Sequence, residues 1–552
     1  MSKIKRILSL FLVLGLLLTS FVDVFAIENN SLSYEEKLVE LKDIEDNEFV
    51  DAIIKLNKEL DYSRIDSYVQ NKSYGKSKEE IQDAIREEIV EQSERLAENS
   101  QKSIVDILES EKETGQVKFY ESFHIINCIN VIAKKSLLSS LAKRSEVEKI
   151  VLNKKIKLIK KEKNAPEARA YSMNSANGKH VPWNLKVIAA DKAQELTNSS
   201  NNEVVVAIID SGVDGTHPAI KDNYRGKDAS LAAYSWYNTI TGKDGSQEIP
   251  SDSRGHGTHV CGTILGSRDN SLLGVAPKAK WMAVKVFDDD GETDNAKLIK
   301  AGQWIMAPNG DPKYAPNVVN NSWGGNSTDG FYQDIVKAWR KAGIFPVFSA
   351  GNVSQFNNGG ENSIGTPASY PESYAVGAIR KDEHVAKFSL RGKSNYTNKW
   401  KPDIVAPGVN ILSSMPGNKY EILTGTSMAG PHVTGVVALM LSVNKDLSVD
   451  QIEKILNSTA TPLKDEDYTS IPNHGYGYGK VNAALAVELA KGQSKGNEVN
   501  DSSMAIFSGR LLAHGEDTEG PKLIHNPINK IFTTYKTSFD ADVSDNAGVD
   551  SV

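Results

Sequence analysis

Val204-Val205-Val206-Ala207-Ile208-Ile209-Asp210-Ser211-Gly212 reads as a strand that ends on a turn. The run from Val204 to Ile209 is continuously apolar and mostly β-branched, the pattern of a strand buried on both faces of a parallel sheet. Asp210 falls just past its carboxyl end, where open α/β sheets bind ligands. Further strands of this kind are expected at Trp281 to Phe287, Val318 to Asn321, Phe345 to Ser349 and Tyr374 to Ile379. Helical stretches lie between and after them: Ala296 to Met306 ended before Pro308, Gln333 to Ala342 closed by Gly343, and Ser448 to Leu456. The last opens on the capping box Ser448-Val449-Asp450-Gln451. Alternation of strands and helices predicts an α/β fold with a doubly wound parallel sheet over residues 181–490.

Two more segments carry chemistry. His256-Gly257-Thr258-His259 precedes Val260, Cys261, Ile264 and Leu265, apolar at i, i+4 spacing, so a helix begins at His256. Gly425-Thr426-Ser427-Met428-Ala429 begins another, running through Val433, Val436, Val437 and Met440. With Asp210 these supply a carboxylate, an imidazole and a hydroxyl in the order Asp, His, Ser. In such a set Ser427 Oγ attacks a carbonyl, His256 takes its proton and later donates it to the leaving group, and Asp210 holds the imidazole in the required tautomer. A nucleophile at a helix N-terminus has backbone N–H groups and the positive dipole end beside the developing oxyanion. Asn352, in Ser349-Ala350-Gly351-Asn352 after the strand from Phe345, offers a second, uncharged donor. Each segment alone has a plainer reading: a turn, a metal pair or capped helix, a glycine-rich strand-to-helix connection. Their joint order at predicted sheet edges carries the assignment. His259 and His432 read as buried structural histidines beside the site.

Those blocks, with Ser322-Trp323-Gly324-Gly325 and Gly430-Pro431-His432, resemble the subtilisin-like serine proteases and, within them, the bacillopeptidase F group, over about Val181 to Ala490. The resemblance implies a subtilisin-like sheet and a serine endopeptidase acting on proteins or peptides through an acyl-enzyme. It implies that Ser322, Trp323, Gly324 and Gly325 pair with substrate backbone and wall the pocket for the side chain before the cleaved bond. The resemblance further implies that Gly291, Glu292 and Thr293 form the opposite substrate strand, that Gly365 lies near the pocket base and that the Thr366–Pro367 bond is cis. A basic residue four positions before the cleaved bond is expected to suit Glu292. The chemistry implies no cofactor. Asp288, Asp289, Asp290, Glu292 and Asp294 have the oxygen donors calcium takes but not the EF-hand spacing, so they read as a solvated loop with no metal assigned. A competing reading, an inactive scaffold used for surface binding, predicts loss of Asp210, His256, Ser427 or Asn352, and all four are present.

A chain of 552 residues exceeds what one core supports. A net charge of −7 without a basic stripe in the motif-bearing region gives no case for nucleic acid. Met1 to Ala26, with Lys3, Lys5 and Arg6 ahead of an uncharged Ile7 to Val22 and the small Ala26, reads as a secretory signal; the uncharged run is short for a membrane anchor. No later stretch is apolar enough to span a bilayer, so the mature chain is expected to be secreted, extracellular or cell-wall associated.

Residues 27–163 read as an α+β pro-region: a strand at Val50 to Leu56, one long or two shorter helices over Glu79 to Glu113, strand-like Phe119 to Ile132, helical Ser136 to Leu141 and strand-like Val147 to Leu158. Residues 119–159, with Ile125 to Val131 and Glu146 to Ile150, resemble the inhibitory propeptides of subtilisin-like proteases, which implies an intramolecular inhibitor and self-processing. Lys154 to Lys163 reads as an exposed basic stretch, and residues 164–180 as a processing linker. Cys128 and Cys261 fall in different segments, so no structural disulfide is expected. Residues 491–503 read as a polar linker. Residues 504–552 read as short strands of a truncated β-sandwich, with Asp542 to Val552 resembling the opening of a bacterial immunoglobulin-like repeat and the sequence reading as a fragment of a longer protein.

Overall fold

The computed structural model describes residues 36–158, 181–197, 204–268, 271–324, 330–354 and 357–492, with two short paired strands at Lys522–Ile524 and Asp542–Ser544. The signal segment, residues 159–180 and, apart from those two strands, the immunoglobulin-like segment lie outside the described residues.

The chain divides into two compact units. The first takes the chain to Glu59 and Leu96–Asn153. It is a four-stranded antiparallel sheet in the order Val117–Phe123, Cys128–Lys134, Phe49–Leu56, Val147–Leu152. Apolar side chains from Ala52, Ile54, Ile129 and Val131 pack with Ile104 and Leu108 of one long helix, Lys78–Glu113. The strand expected over Phe119 to Ile132 is two strands, separated by a turn in which Asn127 N–H bonds His124 O and Asn127 takes a positive φ of 45°.

The run expected as one strand from Val147 to Leu158 also divides. Its first part stays in this sheet, while Lys155–Lys157 pairs in the second unit. Leu60–Arg95 likewise clusters with the second unit. It includes a helix the sequence reading missed, Tyr62–Lys72, capped by Asp61 accepting from Ser63 N–H; Ile65 and Val69, its buried residues, are too few to show a repeat.

In the second unit the strands of the main sheet, with one of a separate two-stranded pair, are β1 (Val205–Asp210), β2 (Trp236–Asn238), β3 (Lys243–Asp244), β4 (Lys280–Lys285), β5 (Glu292–Asp294), β6 (Val318–Asn321), β7 (Phe345–Ser349), β8 (Tyr374–Ile379) and β9 (Ile404–Pro407), beside several other short two-stranded pairs. The main sheet runs β9-β8-β7-β6-β1-β4-β2-β3, parallel except for the β2–β3 hairpin. The chain starts at β1, builds one side through β2 and β4, then crosses to β6 and builds the other. The order therefore reverses at β1, and ligands of such sheets bind beyond the carboxyl ends of the strands there.

Helices cover both faces. On one, Val206, Ile208, Phe345, Val347 and Val376 pack with α1 (His256–Leu265) and α4 (Thr426–Val443) in a continuous core. On the other lie α2 (Asn295–Met306) and α3 (Gln333–Lys341); Phe348 meets Trp323 edge-on, Trp323 meets Tyr332, and Tyr332 meets Trp339 of α3. Among the described residues, α4 is the one helix long and apolar enough to cross a membrane, and it is the buried central helix of this core. Cys128 and Cys261 are buried and unbridged.

Candidate active site

β1 ends on Asp210, which is fully buried. Its Oδ1 accepts from Ser211 N–H at 2.7 Å and meets His256 Nδ1 at 2.7 Å. His256 is the first residue of α1, and that turn can approach β1 because residue 257 is glycine: a Cβ there would lie 2.0 Å from Gly212 O and 3.0 Å from Asp210 Cβ. Burial opposes the imidazolium, but the Asp210 charge and hydrogen bond, with the Asp252 charge, outweigh it and raise the His256 pKa.

Ser427 is half-exposed in the first turn of α4. Its hydroxyl donates to Ser322 O at 3.2 Å, so it must turn from that carbonyl to reach His256. Pro431 stands one turn on and has no N–H for the Ser427 carbonyl. Ser322 Oγ takes that place, donating to Ser427 O at 3.0 Å, and Ser349 Oγ donates to Thr426 O at 2.9 Å. Asn320 Nδ2 donates to Ser322 Oγ, and Thr434 Oγ1 to Asn320 Oδ1, both at 3.0 Å. These bonds tie the start of α4 to the ends of β6 and β7. Gly430 leaves the room, since a Cβ there would lie 3.0 Å from Ser349 Oγ.

Asn352 follows β7. Its Oδ1 accepts from Thr426 N–H at 2.9 Å and Thr426 Oγ1 at 3.1 Å, which fixes the amide plane and leaves Nδ2 as a donor at the head of α4.

Asp252 is a residue the sequence reading passed over. Though buried, it accepts from Ser211 Oγ (2.9 Å), Arg254 N–H (3.0 Å), Gly255 N–H (2.8 Å), Thr258 N–H (2.9 Å) and Thr258 Oγ1 (2.7 Å). It supplies the cap that α1, preceded by Gly255, lacks. Burial, and then the nearby Asp210 charge, push its pKa up against these hydrogen bonds. An acid just ahead of a helix whose N-cap is glycine was the available signal.

The two expected structural histidines are buried. His432 Nδ1 meets Met428 O at 2.7 Å and Nε2 meets Asn184 Nδ2 at 2.8 Å, which defines one neutral tautomer. Burial lowers its pKa to about 4. His259 Nε2 reaches Ile411 O at 3.0 Å and Glu421 O at 3.1 Å.

Of the expected substrate-binding residues, β5 contains Glu292 and Thr293, with Gly291 just ahead of it. This strand carries a partner: Lys155–Lys157 lies antiparallel to it, Leu158 N–H donates to Gly291 O at 2.9 Å, and Asn295 N–H donates to Lys154 O at 3.2 Å. Lys157 Nζ meets Glu292 Oε1 at 2.5 Å. In the stretch from Lys154 to Lys163, expected as exposed and basic, Lys154, Lys155 and Lys157 are exposed, while the backbone of Lys155–Lys157 pairs as an edge strand; residues 159–163 lie outside the described residues. Ser322 and Gly324 follow β6, and Gly324 faces the cis Thr366–Pro367 peptide, a Cβ at 324 lying 3.5 Å from Thr366 O. Gly365, beside that peptide, is buried. The Trp323 ring turns into the core against Tyr332 and Phe348. Gly325 lies outside the described residues.

The acidic loop satisfies its carboxylates locally. Asp288 Oδ1 accepts from Asp290 N–H (3.0 Å) and Glu292 N–H (2.8 Å), Asp289 from Ser253 Oγ (2.5 Å), and Asp294 from Lys297 N–H (2.9 Å) at the start of α2. Among the described residues no three His, Cys, Asp or Glu side chains gather as a metal site.

The profile of the Subtilase family, peptidase family S8, matches residues 201–479. Bacillopeptidase F of Bacillus subtilis (strain 168) is 41% identical over 483 residues, 85% of this chain and 32% of its own length. Subtilisin DY of Bacillus licheniformis is 35% identical over 310 residues, 56% of this chain and 99% of its own. Subtilisin E of Bacillus subtilis (strain 168) is 33% identical over 336 residues, 61% of this chain and 78% of its own. With a doubly wound sheet that reverses at β1, the chain belongs to the subtilase family of serine endopeptidases. It spans about a third of the length of Bacillopeptidase F.

Proposed function

We propose that this chain is a secreted serine endopeptidase that hydrolyses peptide bonds in proteins through Asp210, His256 and Ser427, and that it is made as a self-processed zymogen. The observation that carries the reading is the 2.7 Å Asp210–His256 contact at the sheet edge where Ser427, at the head of α4, and the oriented Asn352 amide also lie. Ser427 Oγ turns from Ser322 O to His256 Nε2, loses its proton to that nitrogen and adds to the scissile carbonyl. The oxyanion is held by the Ser427 N–H and Asn352 Nδ2. Collapse breaks the C–N bond, His256 returns the proton to the leaving amine, and water repeats the sequence on the acyl-enzyme.

The substrate is an extended polypeptide added as a strand to β5, and the segment Lys155–Leu158 in that place supports the reading. Glu292 favours a basic residue opposite it, as Lys157 is. Residues 27–163 act as inhibitor and folding aid, and cleavage in the linker after them releases the mature enzyme outside the cell. The test is labelling by a fluorophosphonate. One equivalent should react with the mature enzyme, and Ser427→Ala should remove both labelling and turnover, down to the roughly 10³-fold over water left by the oxyanion hole and binding. Full labelling of the alanine variant would show that another serine is the nucleophile.

A further inference from the structure

The pro-region touches the catalytic unit at a place that the site does not use. Leu60–Arg95 belongs to the same compact unit as the sheet. Within it Arg86, only 8% exposed, lays its guanidinium against the carboxyl end of α3. Nε donates to Ala342 O at 2.9 Å, and Nη2 reaches Pro316 O, just ahead of β6, at 3.5 Å. The last carbonyls of a helix lack intrahelical partners and carry the negative end of its dipole, so a buried cation is favoured there. Gly343, at a φ of +73°, admits Gln82 so closely that a Cβ would lie 2.8 Å from the Gln82 side-chain carbon, and Gln82 Nε2 donates to Lys341 O at 3.4 Å. Ion pairs of Lys341 with Asp66 and of Lys445 with Glu79 flank the contact.

This surface lies at the amino ends of β6 and β7. Ser322 and Asn352 follow the carboxyl ends of those strands, and Lys155–Lys157 occupies β5. Two segments of one pro-region, within 60–95 and at Lys155–Lys157, therefore meet the catalytic unit at separate places and are linked through the chain between them. Linked contacts hold far longer than either alone, because one that opens is recaptured while the other stays closed.

We propose that the carboxyl end of α3, with Pro316, is a second docking surface for the pro-region, that residues 60–95 occupy it through Arg86, and that this anchor retains the pro-region after the linker is cut. The proposal rests on the reading of residues 27–163 as an inhibitory pro-region.

The test uses the full chain carrying Ser427→Ala, with the recognition sequence of a specific protease inserted between residues 164 and 180. After nicking, the complex is diluted and release of the pro-region is followed by size-exclusion chromatography over time. Arg86→Ala should speed release by about ten- to a hundredfold, the loss expected for two charge-assisted hydrogen bonds, with Arg86→Lys between. Asp66→Lys should speed it less, and adding Lys341→Asp should restore the parent rate. Equal release from the Arg86→Ala and parent complexes overturns the proposal; if Arg86→Ala fails to fold, a charge swap that restores nothing does so. The complex need not turn over, so this outcome is independent of fluorophosphonate labelling, which tests the catalytic reading.

Discussion

In the proposed mechanism His256 must be neutral to take the Ser427 proton, and its pKa is raised by Asp210 and, less directly, by Asp252. Activity is therefore lost as pH falls through a value above the ordinary 6.5 of histidine. Asp252→Asn removes one of the charges that stabilise the imidazolium. The acid limb of kcat/KM against pH should move to lower pH, while the weakened cap on α1 lowers kcat by roughly tenfold. A fall in kcat with an unmoved acid limb would mean that Asp252 acts through folding alone. Asp210, His256 and Ser427 were legible because each lies at the end or start of a patterned element, and Asn352 because it follows one closely. Asp252 was not, because a buried acid and an exposed turn acid look alike until the groups around them are placed.

At the scale of elements, the proposed function makes β5 and the segment after β6 the two substrate strands, and β5 already carries Lys155–Lys157 as an antiparallel partner. Remote binding energy of that kind orients the reacting carbonyl, so shortening a substrate from four residues to one before the cleaved bond should lower kcat as well as raise KM. Glu292→Gln should cost two- to fivefold, roughly, in kcat/KM for substrates with Lys or Arg opposite that position and leave neutral ones unchanged, as a partly exposed ion pair contributes little. Kinetics on paired lysine and glutamine peptides check this; an equal loss on both would assign Glu292 to loop structure. Of the main sheet, β1, β4, β6, β7 and β8 could be read in advance because period and end signals agree there; the short β2, β3 and β9 and the Asp61-capped helix Tyr62–Lys72 could not. The division of Val147 to Leu158 could not, since a strand's pattern records that it is half-buried and not which sheet receives it.

For the whole molecule, the proposed zymogen reading makes maturation depend on the enzyme's own nucleophile. Purified Ser427→Ala should keep residues 27–163 attached indefinitely, whereas the parent cuts itself within the linker; mass spectrometry of both, incubated without other proteases, decides it. Efficient processing of the alanine variant would exclude self-cleavage. By itself the sequence determined the family and the sheet-edge position of the acid, imidazole and hydroxyl, because these depend on local pattern and element ends. Only the tertiary structure decided where Ser427 Oγ points, that Trp323 faces inward, that Asp252 caps α1, and that residues 60–95 and 155–157 join the catalytic unit. Each of those depends on contacts between segments distant in the chain, formed where buried carbonyls, carboxylates and strand edges need partners that no local pattern can name.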